Sequence, residues 1–201
     1  LEATFCSPCS SLHFEHLHLH PLPKGRLYTP AAAYSNLLPT YSPFLPELRA
    51  MLTLRETFLT SAQTQLARAG ARAGPGPHTY VAIHNRRGDY GPHMAGYGGA
   101  LVGPGYFQSC LALLRASLAS PVFVVVTDDP AWARRHITGP DITYSLAHSM
   151  PEEEAVGTDL AILAACNHTV LTYGTFGLWG ALLRGGRGVT LMSTRAKVLR
   201  R

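Results

Sequence analysis

Residues 122–126 read Val-Phe-Val-Val-Val and stop abruptly at Thr127-Asp128-Asp129-Pro130. Five apolar, mostly β-branched residues in a row leave neither face of a strand for water. Such a strand belongs inside a sheet covered on both sides, the situation of parallel strands joined by crossover helices. The flanking sequence supplies the crossovers. Residues 106–118 carry apolar side chains at helical spacing and are closed by Pro121. Residues 132–137 predict a short helix with Pro130 near its first turn, and 142–144 a short strand. Residues 158–166 predict a helix capped by Thr158, 170–173 a strand, and 175 to about 183 a helix capped by Thr175 and ended by Gly185-Gly186. A last strand falls at 189–192. Strand and helix alternate four times, which implies an α/β fold: a parallel sheet with helices on both faces and ligands at the carboxyl ends of the strands.

The richest of those ends lies at residues 80–90, Tyr-Val-Ala-Ile-His-Asn-Arg-Arg-Gly-Asp-Tyr. Val81 and Ile83 are β-branched strand formers. The strand then runs directly into His84, Arg86, Arg87, Gly88 and Asp89. A guanidinium meets a phosphate with two parallel hydrogen bonds and stays charged throughout, and Gly88 relaxes the backbone where the arginines meet an anion. The pattern predicts a phosphate grip led by Arg86. Two roles fit Arg87: adding to the positive field, or bracing the loop by pairing with Asp89. Solvated surface charges are the alternative for both arginines. Arg87-Gly88-Asp89 is also a cell-binding tripeptide, but a three-residue match recurs readily by chance. Gly174, Thr175 and Phe176 open a helix, where free N–H groups and the dipole suit a pyrophosphate; Thr175 as a simple N-cap is the competing reading. Residues 91–105 are Gly-rich and read as a mobile loop able to close over a ligand.

The chain divides into three. Residues 1–46, rich in Pro, Ser and His, read as an irregular or poorly ordered lead-in. Residues 47–78 hold one long amphipathic helix from Leu48 to Ala69, followed by a Gly/Pro/Ala linker at 70–77. Residues 79–201 form the α/β unit. Cys6 and Cys9, with His13, His16, His18 and His20 close behind, have zinc-ligand spacing. No second Cys-x-x-Cys accompanies them, so no metal is expected; a disulfide between them is also open. Cys110 and Cys166 sit in apolar helices as buried thiols. The net charge of +5 and pI near 9.2 would suit nucleic acid. The basic residues, however, are scattered or gathered at one phosphate-sized site, and no nucleic-acid signature occurs, so no nucleic-acid partner is expected.

Three segments, HNRRGDY at 84–90, FVVVTDDPAW at 123–132 and DLAILAACNHTVLTYGTFGLWGALLRGG at 159–186, together resemble the signature segments of the galactoside α-1,2-fucosyltransferases. The resemblance runs from about residue 79 to 194. It implies a GT-B-type enzyme in which 79–201 is the Rossmann-like, GDP-fucose-binding half and 47–78 is a remnant of the region joining the halves. The implied reaction is metal-independent transfer of fucose, with inversion, to the 2-hydroxyl of a terminal galactose on a glycoprotein or glycolipid, with GDP-fucose as the donor substrate and no cofactor. Arg86 would meet the β-phosphate, and His84 and Asp159 would lie near the guanine or ribose; a first-turn aspartate serving its own helix is the alternative for Asp159. The donor set is then His84, Arg86, Arg87, Gly88, Asp159, Gly174, Thr175 and Phe176. Asp89 is the favoured general base, with His93 and Glu152 to Glu154 as alternatives, although a charge run beside a proline reads first as a solvated turn.

Animal members of this family are Golgi enzymes on the lumenal side, held by one N-terminal transmembrane helix. No run of about twenty apolar residues occurs here, nor does the family's GxLGNQ-type segment. The chain therefore resembles a C-terminal portion, with the membrane anchor expected only in the missing N-terminal part. A catalytically silent glycan- or nucleotide-binding domain is the rival reading. Asn167-His168-Thr169 is an N-glycosylation acceptor sequence.

Overall fold

The computed structural model describes residues 3–6, 42–96, 99–184 and 188–193. Six strands, β1 (Ala3–Cys6), β2 (Thr79–Asn85), β3 (Pro121–Thr127), β4 (Ile142–Tyr144), β5 (His168–Leu171) and β6 (Thr190–Ser193), form one sheet in the order β1-β6-β5-β2-β3-β4. Every neighbouring pair is parallel. Around them lie α1 (Leu45–Met51), α2 (Glu56–Ala73), α3 (Tyr90–Gly96), α4 (Pro104–Ser117), α5 (Pro130–His136), α6 (Glu152–Ala165) and α7 (Thr175–Leu183), with 3-10 turns at Ser42–Phe44 and Ala147–Ser149.

Strand alternation sorts the core into two layers. Val81, Ile83, Phe123 and Val125 point to one face and pack with Phe107, Cys110, Leu111 and Leu114 of α4 and Ala133 of α5. Ala82, Val122, Val124 and Val126 point to the other and pack with Ala62, Leu66 and Ala69 of α2 and Ala161, Ile162 and Leu163 of α6. Both faces of β3 are thus dry, as its sequence requires. Cys110 and Cys166 are buried free thiols, and burial pushes each up to about 12.

Strand order positions the site. From β2 the chain moves to β3 and β4 through α4 and α5 on one face. It then crosses back through α6, on the other face, to β5 on the opposite side of β2. The direction of winding reverses between β2 and β5, and the crevice at their carboxyl ends is where an open parallel sheet accepts ligands.

Several local expectations are corrected. Residues 3–6 of the expected irregular lead-in form the edge strand β1; Cys9 and the histidine cluster lie outside the described residues. The single long helix is two, α1 and α2, separated at residues 52–55, where Leu54 turns in to pack on the core. Helix α6 starts at Glu152 rather than at Thr158, which is buried within it. Its three glutamates form the first turn, where negative charge favours the helix dipole, instead of a solvated turn. Much of the supposed mobile loop is anchored: α3 folds directly after the arginine motif, Val102 is buried, and Ala100 accepts a hydrogen bond from the Tyr173 hydroxyl.

Helices α6 and α7 meet at Gly180, whose backbone lies against the side chain of Leu163. Alanine in a helix interior is favoured over glycine by about 1 kcal/mol, but a methyl group here enters the space of a fully buried leucine, and overpacking costs roughly 1–3 kcal/mol. Gly180→Ala is therefore expected to lower the urea-unfolding free energy by up to about 2 kcal/mol. A gain in stability would mean that the two helices do not pack this closely.

Candidate functional site at the sheet switch point

The carboxyl ends of β2, β3 and β5, the turn after β4 and the first turn of α7 surround a cavity of about 510 Å3. Two threonine hydroxyls hold the loop at its edge. Thr127 Oγ1, at the end of β3, donates to the Asn85 carbonyl (2.8 Å) and accepts from Asn85 Nδ2 and from the Asp129 N–H (both 3.1 Å). Thr172 Oγ1, just past β5, donates to the His84 carbonyl (3.2 Å) and accepts from the Arg86 N–H (2.9 Å). The turn at 85–87 is pinned from both neighbouring strands.

That turn sends the two arginines to different places. Arg86 lines the cavity, its side chain 39% exposed, and pairs with Asp89 at 2.8 Å and Asp128 at 3.1 Å. Arg87 does not line the cavity. Its guanidinium lies 3.6 Å from the centroid of the Trp132 ring, donates to the Val102 carbonyl at 3.0 Å and approaches Asp129 at 4.0 Å. Arg87 is held against Trp132, Val102 and Asp129 rather than by the expected pairing with Asp89, which is the partner of Arg86 instead. Gly88 serves a different end from the one expected. Its φ is not positive, and a Cβ there would sit 2.9 Å from Asp128 Oδ2. Glycine lets the Asp128 carboxylate close on the loop, where Oδ1 accepts the Arg87 N–H at 2.8 Å.

Helix α7 opens the opposite wall. Gly174 is its N-cap with φ 81°, beneath the Tyr90 hydroxyl, and no side chain caps the helix. Thr175 is the first helical residue and not the cap that sequence allowed. Thr175 and Phe176 line the cavity, so the first-turn N–H groups and the positive end of the dipole belong to the same wall.

His84 and Asp159 complete the set. His84 is 4% exposed, and burial lowers its pKa to about 4, with nearby Arg86 acting in the same direction and Asp128 against it. It is a neutral ring above pH 5. It tilts against Phe176 (5.7 Å between centroids) and packs on Gly177, where a Cβ would lie 2.5 Å from Nδ1. Asp159 sits on α6 beside Ala155 and Val156 and accepts a 2.5 Å hydrogen bond from Ser145 Oγ. Burial raises its carboxyl to about 6; the Ser145 hydrogen bond and His148 pull in the opposite direction. Val126, Pro130, Ala147 and Val156 give this end of the cavity apolar walls.

The structure thus brings His84, Arg86, Asp159, Gly174, Thr175 and Phe176 to one cavity. It leaves Arg87, Gly88 and Asp89 beside it, and His93 and Glu152 to Glu154 away from its lining; Glu153 pairs with Arg55. Residues not singled out from sequence also contribute: Tyr90, the supporting hydroxyls of Thr127 and Thr172, and Ser145. A Ser or Thr at a strand end carries no signal that separates these roles from ordinary turn chemistry. Among the described residues no group of three or more His, Cys, Asp or Glu is placed to hold a metal ion, and no helix is long and apolar enough to cross a membrane.

A parallel α/β sheet with a switch-point cavity, cationic and helix-capped at one end and apolar with a buried carboxylate at the other, defines the class of this protein. The chain belongs to the glycosyl transferase family 11, whose model matches residues 26–197. It is 40% identical over 154 residues to mouse galactoside 2-alpha-L-fucosyltransferase Sec1 and 37% identical over 155 residues to rat galactoside alpha-(1,2)-fucosyltransferase 2, in each case over 75% of this chain. Bovine galactoside 2-alpha-L-fucosyltransferase SEC1 is 44% identical over 119 residues, 59% of this chain. The aligned regions span 32% to 42% of those relatives' own lengths. Among solved structures, the NodZ alpha-1,6-fucosyltransferase co-crystallised with GDP aligns over 66% of this chain and 43% of its own, at 17% identity and a TM-score of 0.42.

The raised pKa of Asp159 has a definite sign. The folded value lies above the ordinary 3.8, so the folded state holds its proton more tightly and ionisation opposes folding. The favourable contribution is complete below about pH 4 and is lost as pH rises through about 6. Above neutrality the carboxylate costs on the order of 2–3 kcal/mol. Asp159→Asn is expected to raise the melting temperature at pH 7.5, with the gain vanishing near pH 4. Equal gains at both pH values would show that the carboxyl is not held above its ordinary range.

Proposed function

We propose that residues 79–201 form the GDP-fucose-binding half of a GT-B-type galactoside α-1,2-fucosyltransferase, with residues 47–78 belonging to the region that joins the halves. The observation that carries this reading is the separation of the two arginines: Arg86 faces the cavity opposite the uncapped start of α7, while Arg87 is held away on Trp132. The diphosphate lies between Arg86 and the α7 N-terminus, and the guanine occupies the apolar end, with Asp159 accepting from its ring N–H groups and neutral His84 packed beneath.

In the proposed reaction, O2 of a terminal galactose attacks C1 of fucose from the face opposite the nucleotide. The C1–O bond to the β-phosphate breaks with inversion, its electron pair leaving on GDP. Charge grows on the β-phosphate as the bond breaks, and the Arg86 guanidinium with the α7 N–H groups is the preorganised positive field that stabilises it. The carboxylates nearest the phosphate position, Asp89 and Asp128, are both engaged by Arg86. In this proposal Arg86, released from these carboxylates by the diphosphate, and the α7 N–H groups neutralise the leaving group without a metal.

Asp89 is the proposed proton acceptor. Its side chain is 70% exposed, so its pairing with Arg86 is worth only about 0.2–1 kcal/mol. A diphosphate that takes up the arginine frees this carboxylate for the acceptor hydroxyl. The acceptor is a galactose-terminated glycan in the Golgi lumen, and the other half of the enzyme contributes to its binding. We also assign Asn167 as a glycan attachment site: it is exposed and lies at the end of the sheet opposite the cavity, where its backbone and side chain pair with Tyr80.

Calorimetric titration in chelator-containing buffer tests the donor reading. GDP and GDP-fucose are expected to bind and ADP to bind much more weakly. Arg86→Ala is expected to weaken GDP by roughly 1.5–3 kcal/mol, the worth of a charge-assisted hydrogen bond. Undiminished affinity in that variant, or equal affinity for ADP, would overturn the assignment.

A further inference from the structure

Ser145 stands just beyond β4 and is buried, and all of its polar atoms are engaged. Its N–H donates to the Val125 carbonyl at 2.8 Å, continuing the sheet. Its carbonyl lies 3.2 Å from His148 Nδ1, and its hydroxyl oxygen accepts the Ala147 N–H at 3.1 Å. The hydroxyl proton goes to Asp159 Oδ1 at 2.5 Å. The next residue is fixed from a third direction, since the Leu146 N–H donates to Gln65 Oε1 of α2 at 2.8 Å. A strand end, a 3-10 turn and α2 therefore fix the Ser145–Leu146 backbone, and the Ser145 hydroxyl is aimed at the α6 carboxylate that closes the apolar end of the cavity.

We propose that Ser145 is a positioning residue for guanine selectivity: by holding Oδ1 of Asp159, it fixes the plane of the carboxylate so that both oxygens meet the N1–H and 2-amino edge of the base. This deepens the donor-site reading above and rests on it. A carboxylate oxygen carries two lone pairs, so Oδ1 can keep the serine proton and still accept from the base. The side chain's terminal torsion is broad when nothing holds it, and a carboxylate free to rotate meets one donor as readily as two. The serine bond thus converts an acidic group near a purine into a reader of its 2-amino group, the atom that separates guanine from hypoxanthine. A site built to hydrogen-bond a substrate group rejects the analogue lacking it, because its own polar atom is left unpaired.

The test compares GDP with IDP, which lacks only the 2-amino group, using full-length native enzyme and the variants Ser145→Ala, Ser145→Thr and Asp159→Asn. Native enzyme is expected to prefer GDP by about tenfold or more, the worth of one hydrogen bond to a charged group. Ser145→Ala is expected to bring the ratio close to one, with IDP affinity changing far less than GDP affinity, and Ser145→Thr, which keeps the hydroxyl, to restore it. Equal losses for GDP and IDP in Ser145→Ala would make the serine merely structural and overturn the proposal. If Asp159→Asn abolishes the preference while Ser145→Ala leaves it intact, the positioning role fails and the donor reading stands. If Asp159→Asn also leaves the preference intact, or the native enzyme shows none, the placement of guanine at Asp159 fails as well.

Discussion

The cavity depends on a steric constraint in β2 and β3. Both strands are walled in by helices, and the polar side chains they bury, His84 and Asn85, are the last two residues of β2. The charged groups of the site lie just past the strand ends, at Arg86, Asp89 and Asp128. The hydroxyls of Thr127 and Thr172 then convert that accumulation into geometry. By bonding to the backbone of residues 84–86 from both sides, they decide that residue 86 faces the cavity and residue 87 turns away to Trp132. Exchanging roles between two adjacent arginines requires a peptide rotation, which these bonds resist.

Electrostatics at the site follows from burial gradients along the same edge. Arg86 and Asp89, toward solvent, are cheap to separate because water screens them. His84 and Asp159, toward the core, are both shifted by desolvation, which keeps the His84 ring neutral and raises the Asp159 carboxyl to about 6. The site is mobile in charge at its mouth and stiff at its base. That division suits a ligand whose charged and flat aromatic parts must be gripped at opposite ends.

The layered fold was legible from sequence because it rests on periodicity. The five-residue run at 122–126 required two dry faces, and 106–118 and 142–144 fell close to the observed elements. Legibility failed where a competing local interaction decided the outcome. Thr158 and Thr175 both look like caps, yet one lies within α6 because three glutamates and Pro151 start the helix earlier, and the other yields the cap to Gly174, which adopts a positive φ and whose lack of a side chain leaves room for the Tyr90 hydroxyl. The arginine motif marked the site, but sequence left open which arginine was which. That choice depends on a tryptophan 45 residues away and on a carbonyl of the following loop. Ser145 was invisible for the same reason, since its importance is entirely in what surrounds it.

The bond from the Arg86 N–H to Thr172 spans 86 residues, and it joins two strands that are neighbours in space while β3 and β4 intervene in the chain. Non-local parallel pairings of this kind close late, because loop-closure entropy must be overcome before the contact is made. The cavity needs both the arginine loop after β2 and the α7 wall after β5, so it exists only once β5 has docked against β2. A ligand of this site recognises only the finished sheet. Its binding draws the chain toward the folded state by mass action, so the concentration of that ligand where the chain folds becomes one of the variables that set the yield of native protein.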